Sequence, residues 1–209
     1  MNYLDILRDK EIVALHNQIE KSLINEPMYH GVQHSINTIE YAKSLAKCFN
    51  LSDKDTELLL ISAVLHNIGH LNGKTLHQNT GAEMAKAYLK KKGLDDQDIK
   101  VIYNTINSHL GRRNDDFYNP VSCCLILAEK MDFGASRYKK GVELSDEDAV
   151  CSKVSQVLVD NNNGEITLSI GGKGVDWKKF IFTTAYTKLY NCFEWACKKQ
   201  GYQFKIKKI

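Results

Sequence analysis

The sequence predicts a mainly α protein: a helical bundle over residues 1–142 followed by a small C-terminal β-β-α-β unit over residues 143–209. Three observations predict it. Up to about residue 140, apolar residues recur at the spacing of a helix face. Within that stretch "LLLISAVL", residues 58–65, is apolar nearly all round, as a helix at the centre of a bundle must be. After Gly141 the pattern changes to a two-residue alternation in "SKVSQVLVDNNNGEITLSIGG", with "NNNG" as the turn between two strands.

Each element follows in order. Leu4, Leu7, Ile12, Leu15, Ile19 and Leu23 mark a first helix that closes near Pro27, which has no N–H to continue it. A second helix is expected from about Gly31 to Asn50, with Ile36, Ile39, Ala42, Leu45, Ala46 and Phe49 as its inward stripe. Ser52 is placed to cap the apolar third helix, with Asp53 and Asp55 in the first turn, where the helix dipole favours acids. Further helices are expected at about 79–93, at 95–108 with Asp95 as cap, and at 119–133. The hairpin comes next, then an aromatic-rich helix over about 177–199 with Tyr186, Tyr190, Phe193 and Trp195 as core or self-association residues. "YQFKIKKI" alternates again and reads as a third strand paired with the hairpin.

Composition narrows the function classes. A chain of 209 residues with 43% hydrophobic content can bury a sizeable core. A formal net charge of +3, with lysines scattered rather than blocked, gives no sign of a groove for long nucleic acid. The six cysteines form no CxxC pair and are expected to be free thiols in a reducing cytoplasm. The start "MNYLDILRDK" lacks the pattern of a secretory leader, and nowhere do eighteen apolar residues run together, so a soluble cytoplasmic protein with no membrane partner is expected.

The chemistry-bearing residues are histidines. All but His16 fall between residues 30 and 109: His30, His34, His66, His70, His77 and His109. His30 with His34, and His66 with His70, are i, i+4 neighbours, expected on one face of a helix. Neutral imidazoles are the commonest ligands for transition metals, and several of them need carboxylates to balance the cation. "HNIGH" shares the histidine spacing of the HExxH metalloprotease helix, but Asn67 stands at the position of its general base. An amide cannot accept a proton from activated water.

Over roughly residues 25–140 the pattern resembles the HD superfamily of metal-dependent phosphohydrolases, all-helical proteins named for a His-Asp dyad. "MYHGVQHS" resembles that family's YHNxxH segment, and "LLISAVLHNIGH" resembles LLxAALLHDIGH. "LHQNTGAEMAKAYL" resembles HxxxGAExAxxxL, "IYNTINSHLG" resembles IxxHH, and "LILAEKMDF" resembles LxLADKLD. The resemblance implies His34, His66 and Glu129 as metal ligands, with Asn67 at the dyad aspartate and His77 and His109 at a second-metal position. It implies His66 and Asn67 as catalytic residues and a divalent cation such as manganese, iron or zinc as cofactor. Three departures weaken the set. Asn67 keeps a carbonyl oxygen but no charge, Glu129 is one methylene longer than aspartate, and Ser108 replaces an imidazole, so weaker metal binding is expected. Asp132 has two readings, a substitute ligand or an ion-pair partner of Arg137.

Lys74, Arg112, Arg113 and Lys130 are candidates for binding phosphate, because guanidinium and ammonium groups complement its oxygens. The expected ligand is a nucleotide or another small phosphate ester, not a polymer. Two function classes stand side by side: a phosphohydrolase weakened or disabled at the dyad, and a non-catalytic nucleotide- or metal-binding module on the same fold, either of them open to homo-oligomerisation.

Overall fold

The computed structural model describes residues 1–73, 75–111 and 119–209. The N-terminal part is a bundle of α1 (Tyr3–Leu7), α2 (Lys10–Ser22), α3 (Val32–Cys48), α4 (Asp53–Leu65), α5 (His77–Lys91), α6 (Asp96–Ser108) and α7 (Pro120–Met131). It is followed by α8 (Asp146–Cys151), β1 (Gln156–Asn162), β2 (Glu165–Gly171), α9 (Trp177–Phe180), α10 (Thr184–Gln200) and β3 (Gln203–Lys208). This is the mainly α bundle with a small β unit that the periodicities predict.

α4 is the bundle's axis. Ser52 accepts from the Asp55 amide at its start, and Leu58 through Leu65 are all buried, so the helix needs neighbours on every side. α1, α3, α6 and α7 supply them. α3 turns Ile39, Ala42, Leu45, Ala46 and Phe49 inward as expected, whereas Ile36 faces outward at 40% exposure.

The first expected helix is two. Asp9 accepts from the Glu11 amide and starts α2 anew, a cap signal that the unbroken apolar periodicity conceals. The aromatic-rich helix also divides, because Thr183 caps α10 by accepting from the Tyr186 amide. The short α8 has no counterpart in the expected elements. Its signal is the local pair Ser145 and Asp148, in which the serine hydroxyl accepts from the Asp148 amide and donates to its carboxylate.

β1 and β2 form the antiparallel hairpin, with Asn163 and Gly164 at positive φ in its turn. β3 pairs with β2 in parallel, from Glu165–Gln203 to Ile170–Lys208, and α9 and α10 make the crossover between them. Ile166, Leu168 and Ile170 on β2 are fully buried, α10 packs on α7, and β1 packs on α3. All six cysteines are buried free thiols.

Two backbone features bring distant parts of the site together. A short bridge ties residues 27–29 to residues 137–139: Met28 pairs with Tyr138, the Tyr29 amide donates to the Arg137 carbonyl at 2.8 Å, and the Lys139 amide donates to the Pro27 carbonyl at 2.8 Å. It fixes the start of α3 beside the end of α7. Gly69, in the 3-10 turn Ile68–Asn72 that follows α4, lies so close to α5 that a Cβ there would come within 2.0 Å of the His77 carbonyl and 2.5 Å of the Gly81 amide nitrogen. Only glycine permits that approach.

Candidate metal centre

The site residues sit at helix ends. His34 is in the first turn of α3, His66 is the C-cap of α4, His77 opens α5, His109 is the C-cap of α6, and Glu129 lies in the last turn of α7. His34, His66 and His109 are fully buried, and the Glu129 side chain is 16% exposed.

His34 Nε2 lies 3.0 Å from His66 Nε2 and 2.8 Å from Glu129 Oε2, and His66 Nε2 lies 3.2 Å from the same carboxylate oxygen. The far nitrogens are spoken for. His34 Nδ1 donates to Asp132 Oδ2 at 2.5 Å, and His66 Nδ1 donates to the Ala63 carbonyl at 2.8 Å. A neutral imidazole with its proton on Nδ1 presents a lone pair at Nε2. In that tautomer two lone pairs and a carboxylate face one another, and among the described residues these two imidazoles are the only polar groups placed against the buried Glu129 Oε2. This arrangement is repulsive unless a cation lies among the three atoms.

The donor set fits a divalent cation. Ligands about 2.0–2.2 Å from such an ion, at right angles to one another, stand about 3 Å apart, and the three edges are 2.8, 3.0 and 3.2 Å. Two imidazoles and one carboxylate would hold such a cation through three protein atoms. Without a metal, a proton compensates. Burial alone would push the His34 imidazolium down, but the Glu129 charge and the Asp132 hydrogen bond outweigh it and raise His34 to about 9. Burial also works against the Glu129 charge, yet His34, with His66 and Lys130 in support, holds its carboxyl well below the usual range.

Asp132 performs more than either sequence reading assigned to it. Its carboxylate is fully buried, accepts from His34 Nδ1, takes Arg137 Nη1 at 3.0 Å, and accepts from Asn37 Nδ2 at 2.9 Å. It orients a ligand from behind, the usual place of a carboxylate next to a metal-binding histidine. Asn37, one turn after His34 on α3, belongs to the same cluster. Its i, i+3 spacing from His34 was the available signal.

A second histidine pair lies beside the first. His77 Nε2 is 3.2 Å from His109 Nε2, and His109 Nδ1 donates to the Ile106 carbonyl at 2.6 Å. The His109 ring meets His66 edge to face at 5.2 Å, His70 stacks on His77 at 3.9 Å, and His30 lies 5.1 Å from His70. Burial, followed by the charge of neighbouring imidazoles, lowers His70 to about 3 and His109 well below its ordinary value, so both are neutral at pH 7.

The expected pairing along one helix face is corrected. His30 precedes α3, and His66 and His70 are separated by the end of α4, so neither i, i+4 pair lies within one helix. The contacts run across elements instead, His34 to His66 and His30 to His70.

Asn67 is 2% exposed and immediately follows His66. It is the N-cap of the 3-10 turn, yet its side chain makes no capping hydrogen bond there. Ser108 donates its hydroxyl hydrogen to the Asn104 and Thr105 carbonyls of its own helix. Lys130 is half-buried beside Glu129. Lys74, Arg112 and Arg113 lie outside the described residues.

The model of the HD domain family matches residues 31–154, more than half the chain, and the chain belongs to that family. It is a family of metal-dependent phosphohydrolases, and the His34, His66 and Glu129 cluster could hold the metal. No curated protein matches the chain. No helix among the described residues is long and apolar enough to cross a membrane.

Proposed function

We propose that the protein hydrolyses a nucleotide or another small phosphate ester, with His34, His66 and Glu129 holding one divalent cation and Asn67 adding an uncharged oxygen. The triangle of Nε2, Nε2 and Oε2 with edges of 2.8–3.2 Å carries the reading. In it, residues 1–142 carry the chemistry and residues 143–209 form an accessory unit.

When bound by His34, His66 and Glu129, a divalent cation would supply positive charge to a phosphoryl oxygen and would acidify water. The remaining work falls to side chains. Asp132, anchored by Arg137, keeps the His34 proton on Nδ1 and so keeps Nε2 available as a donor atom. His109, with its proton on Nδ1, accepts at Nε2 from His77, so a proton can be held between these two imidazoles or passed to a leaving oxygen. Lys130, with Lys74, Arg112 and Arg113, supplies cations for the phosphate.

Two observations favour the binding-module reading: a neutral amide stands at the dyad position, and the Ser108 hydroxyl donates within its own helix. Turnover of a panel of nucleotides and small phosphate esters, measured with added manganese, separates the two. Manganese-dependent phosphate release that is lost in His66→Ala supports the hydrolase. Nucleotide binding without release supports the module.

A further inference from the structure

We propose that α10 completes the substrate site, with Lys188 and Lys130 together holding an anionic group beyond the phosphate that is attacked. The proposal rests on the hydrolase reading and deepens it, because it makes the substrate one with at least two phosphate groups, such as a nucleoside diphosphate, triphosphate or bisphosphate.

The observation is a cavity of about 380 Å³ lined by Leu110, Gly111, Lys130, Lys188, Asn191 and Cys192. Its volume is in the range that small ligands occupy, roughly 300–1,000 Å³. Three parts of the chain meet there. Leu110 and Gly111 directly follow His109, Lys130 directly follows Glu129, and the remaining wall is α10. The contact with α10 is close: a Cβ on Gly111, whose φ is +77°, would lie 3.6 Å from both Cys192 Sγ and Ile126 Cγ2. The cavity is thus next to the candidate metal centre by covalent connection on two sides.

The charges argue for an anion. Neither Lys130 nor Lys188 pairs with a carboxylate among the described residues, and since the same holds for other lysines such as Lys10 and Lys173, it is the shared cavity that sets these two apart. Lys130, half-buried, and Lys188, exposed, line one cavity from positions 58 residues apart, so an anion bound there would meet positive charge from two elements. Asn191, one turn after Lys188, puts an amide on the same wall. A phosphate group suits the two lysines, having several acceptor oxygens and up to two charges to meet two ammoniums.

Pyrophosphate binding to metal-free protein tests the proposal without requiring turnover. Titration calorimetry in the presence of EDTA at low ionic strength should show pyrophosphate binding at least about fivefold more tightly than orthophosphate, since two linked anions can engage more cations than one. Lys188→Gln and Lys130→Gln should each weaken pyrophosphate by about tenfold, the loss of one charge-assisted contact. Lys188→Arg should retain most of the affinity. Lys173→Gln, which removes an exposed charge elsewhere in the C-terminal unit, controls for lower net charge and should change nothing. Thermal melts establish that each variant is folded. Equal pyrophosphate affinity in the parent and in Lys188→Gln overturns the proposal, and so does a parent that binds no pyrophosphate or does not prefer it to orthophosphate. Pyrophosphate binding that depends on Lys188, in a protein that releases no phosphate from any substrate, leaves this site standing and refutes the hydrolase reading instead.

Discussion

At the scale of single residues, the site is a balance of charge around the point where two imidazole nitrogens and a carboxylate oxygen meet, a place that a proton on His34 or a cation can fill. In the proposed reading Asn67 leaves that balance short of one negative charge. An aspartate there would add a full negative charge in a partly dry pocket, where charge interactions are stronger than in water. Asn67→Asp should therefore raise divalent-metal affinity by at least about tenfold, given that even contacts behind the ligands are worth roughly 10–100-fold, and should raise or create phosphatase activity. Manganese titration of both forms, with phosphate release followed in parallel, checks it; equal affinities would place Asn67 outside the metal's reach. Asp132→Asn keeps the shape but removes the charge that fixes the His34 proton on Nδ1. It should weaken manganese binding by roughly 10–100-fold while the protein stays folded, as judged by circular dichroism. Unchanged affinity would reduce Asp132 to a structural partner of Arg137. The convergence of His34, His66 and Glu129 was legible in the sequence because each lies in a short local motif. Asp132 was visible only as two competing roles, because its link to His34 spans 98 positions and depends on how α3 and α7 dock.

At the scale of elements, the site depends on where helices end. α4 stops at Leu65 so that His66 and Asn67 can leave the helical path, and Gly69 lets the following turn lie against the start of α5. Gly69→Ala should destabilise the fold by about 3 kcal/mol, the upper part of the range for overpacking, because the obstructing atoms are backbone. Urea denaturation measures this, and a loss below about 0.5 kcal/mol would show that the close approach is not required. His16 of α2 supports the same region from the other side: its Nε2 donates at 3.1 Å to the Val64 carbonyl, one of the acceptors left open at the end of α4. Burial, and then the charges of His66 and His34, push His16 down to about 4. A histidine lowered on folding contributes stability that is complete above about 6.5, its unfolded value, and is lost as pH falls from there to about 4, because over that interval the unfolded chain takes up a proton that the fold refuses. Denaturation midpoints of the parent should fall through that window, and His16→Gln should flatten the fall. An equally steep decline in the variant would assign it to other groups.

Periodicity made most element types readable, while boundaries set by single capping residues were harder to see. Asp9 and Thr183 interrupt apolar patterns that run on past them, so one helix was expected where two exist. α8, at six residues, is too short for a periodic signal to form.

At the scale of the whole molecule, the bundle and the C-terminal unit share one continuous hydrophobic core, which joins α4 and α7 residues to Ile166, Leu168, Phe180 and Phe193. The C-terminal unit is thereby held against the bundle on the side where α10 meets α7. That placement is what brings Lys188 to the cavity beside Lys130, and no sequence spacing announces it. The change from helical to two-residue periodicity announced the β unit, but alternation alone carries no information about strand direction. The parallel pairing of β3 with β2 follows from the crossover through α9 and α10.

The central claim is that His34, His66 and Glu129 hold one divalent cation. Anomalous diffraction at the manganese absorption edge, from crystals equilibrated with millimolar manganese to offset the missing charge at Asn67, tests it most directly. A strong peak about 2.0–2.3 Å from His34 Nε2, His66 Nε2 and the Glu129 carboxylate is the predicted result. Manganese bound only elsewhere, or no peak in the triangle while its three side chains keep their 2.8–3.2 Å separations around a proton, would contradict it.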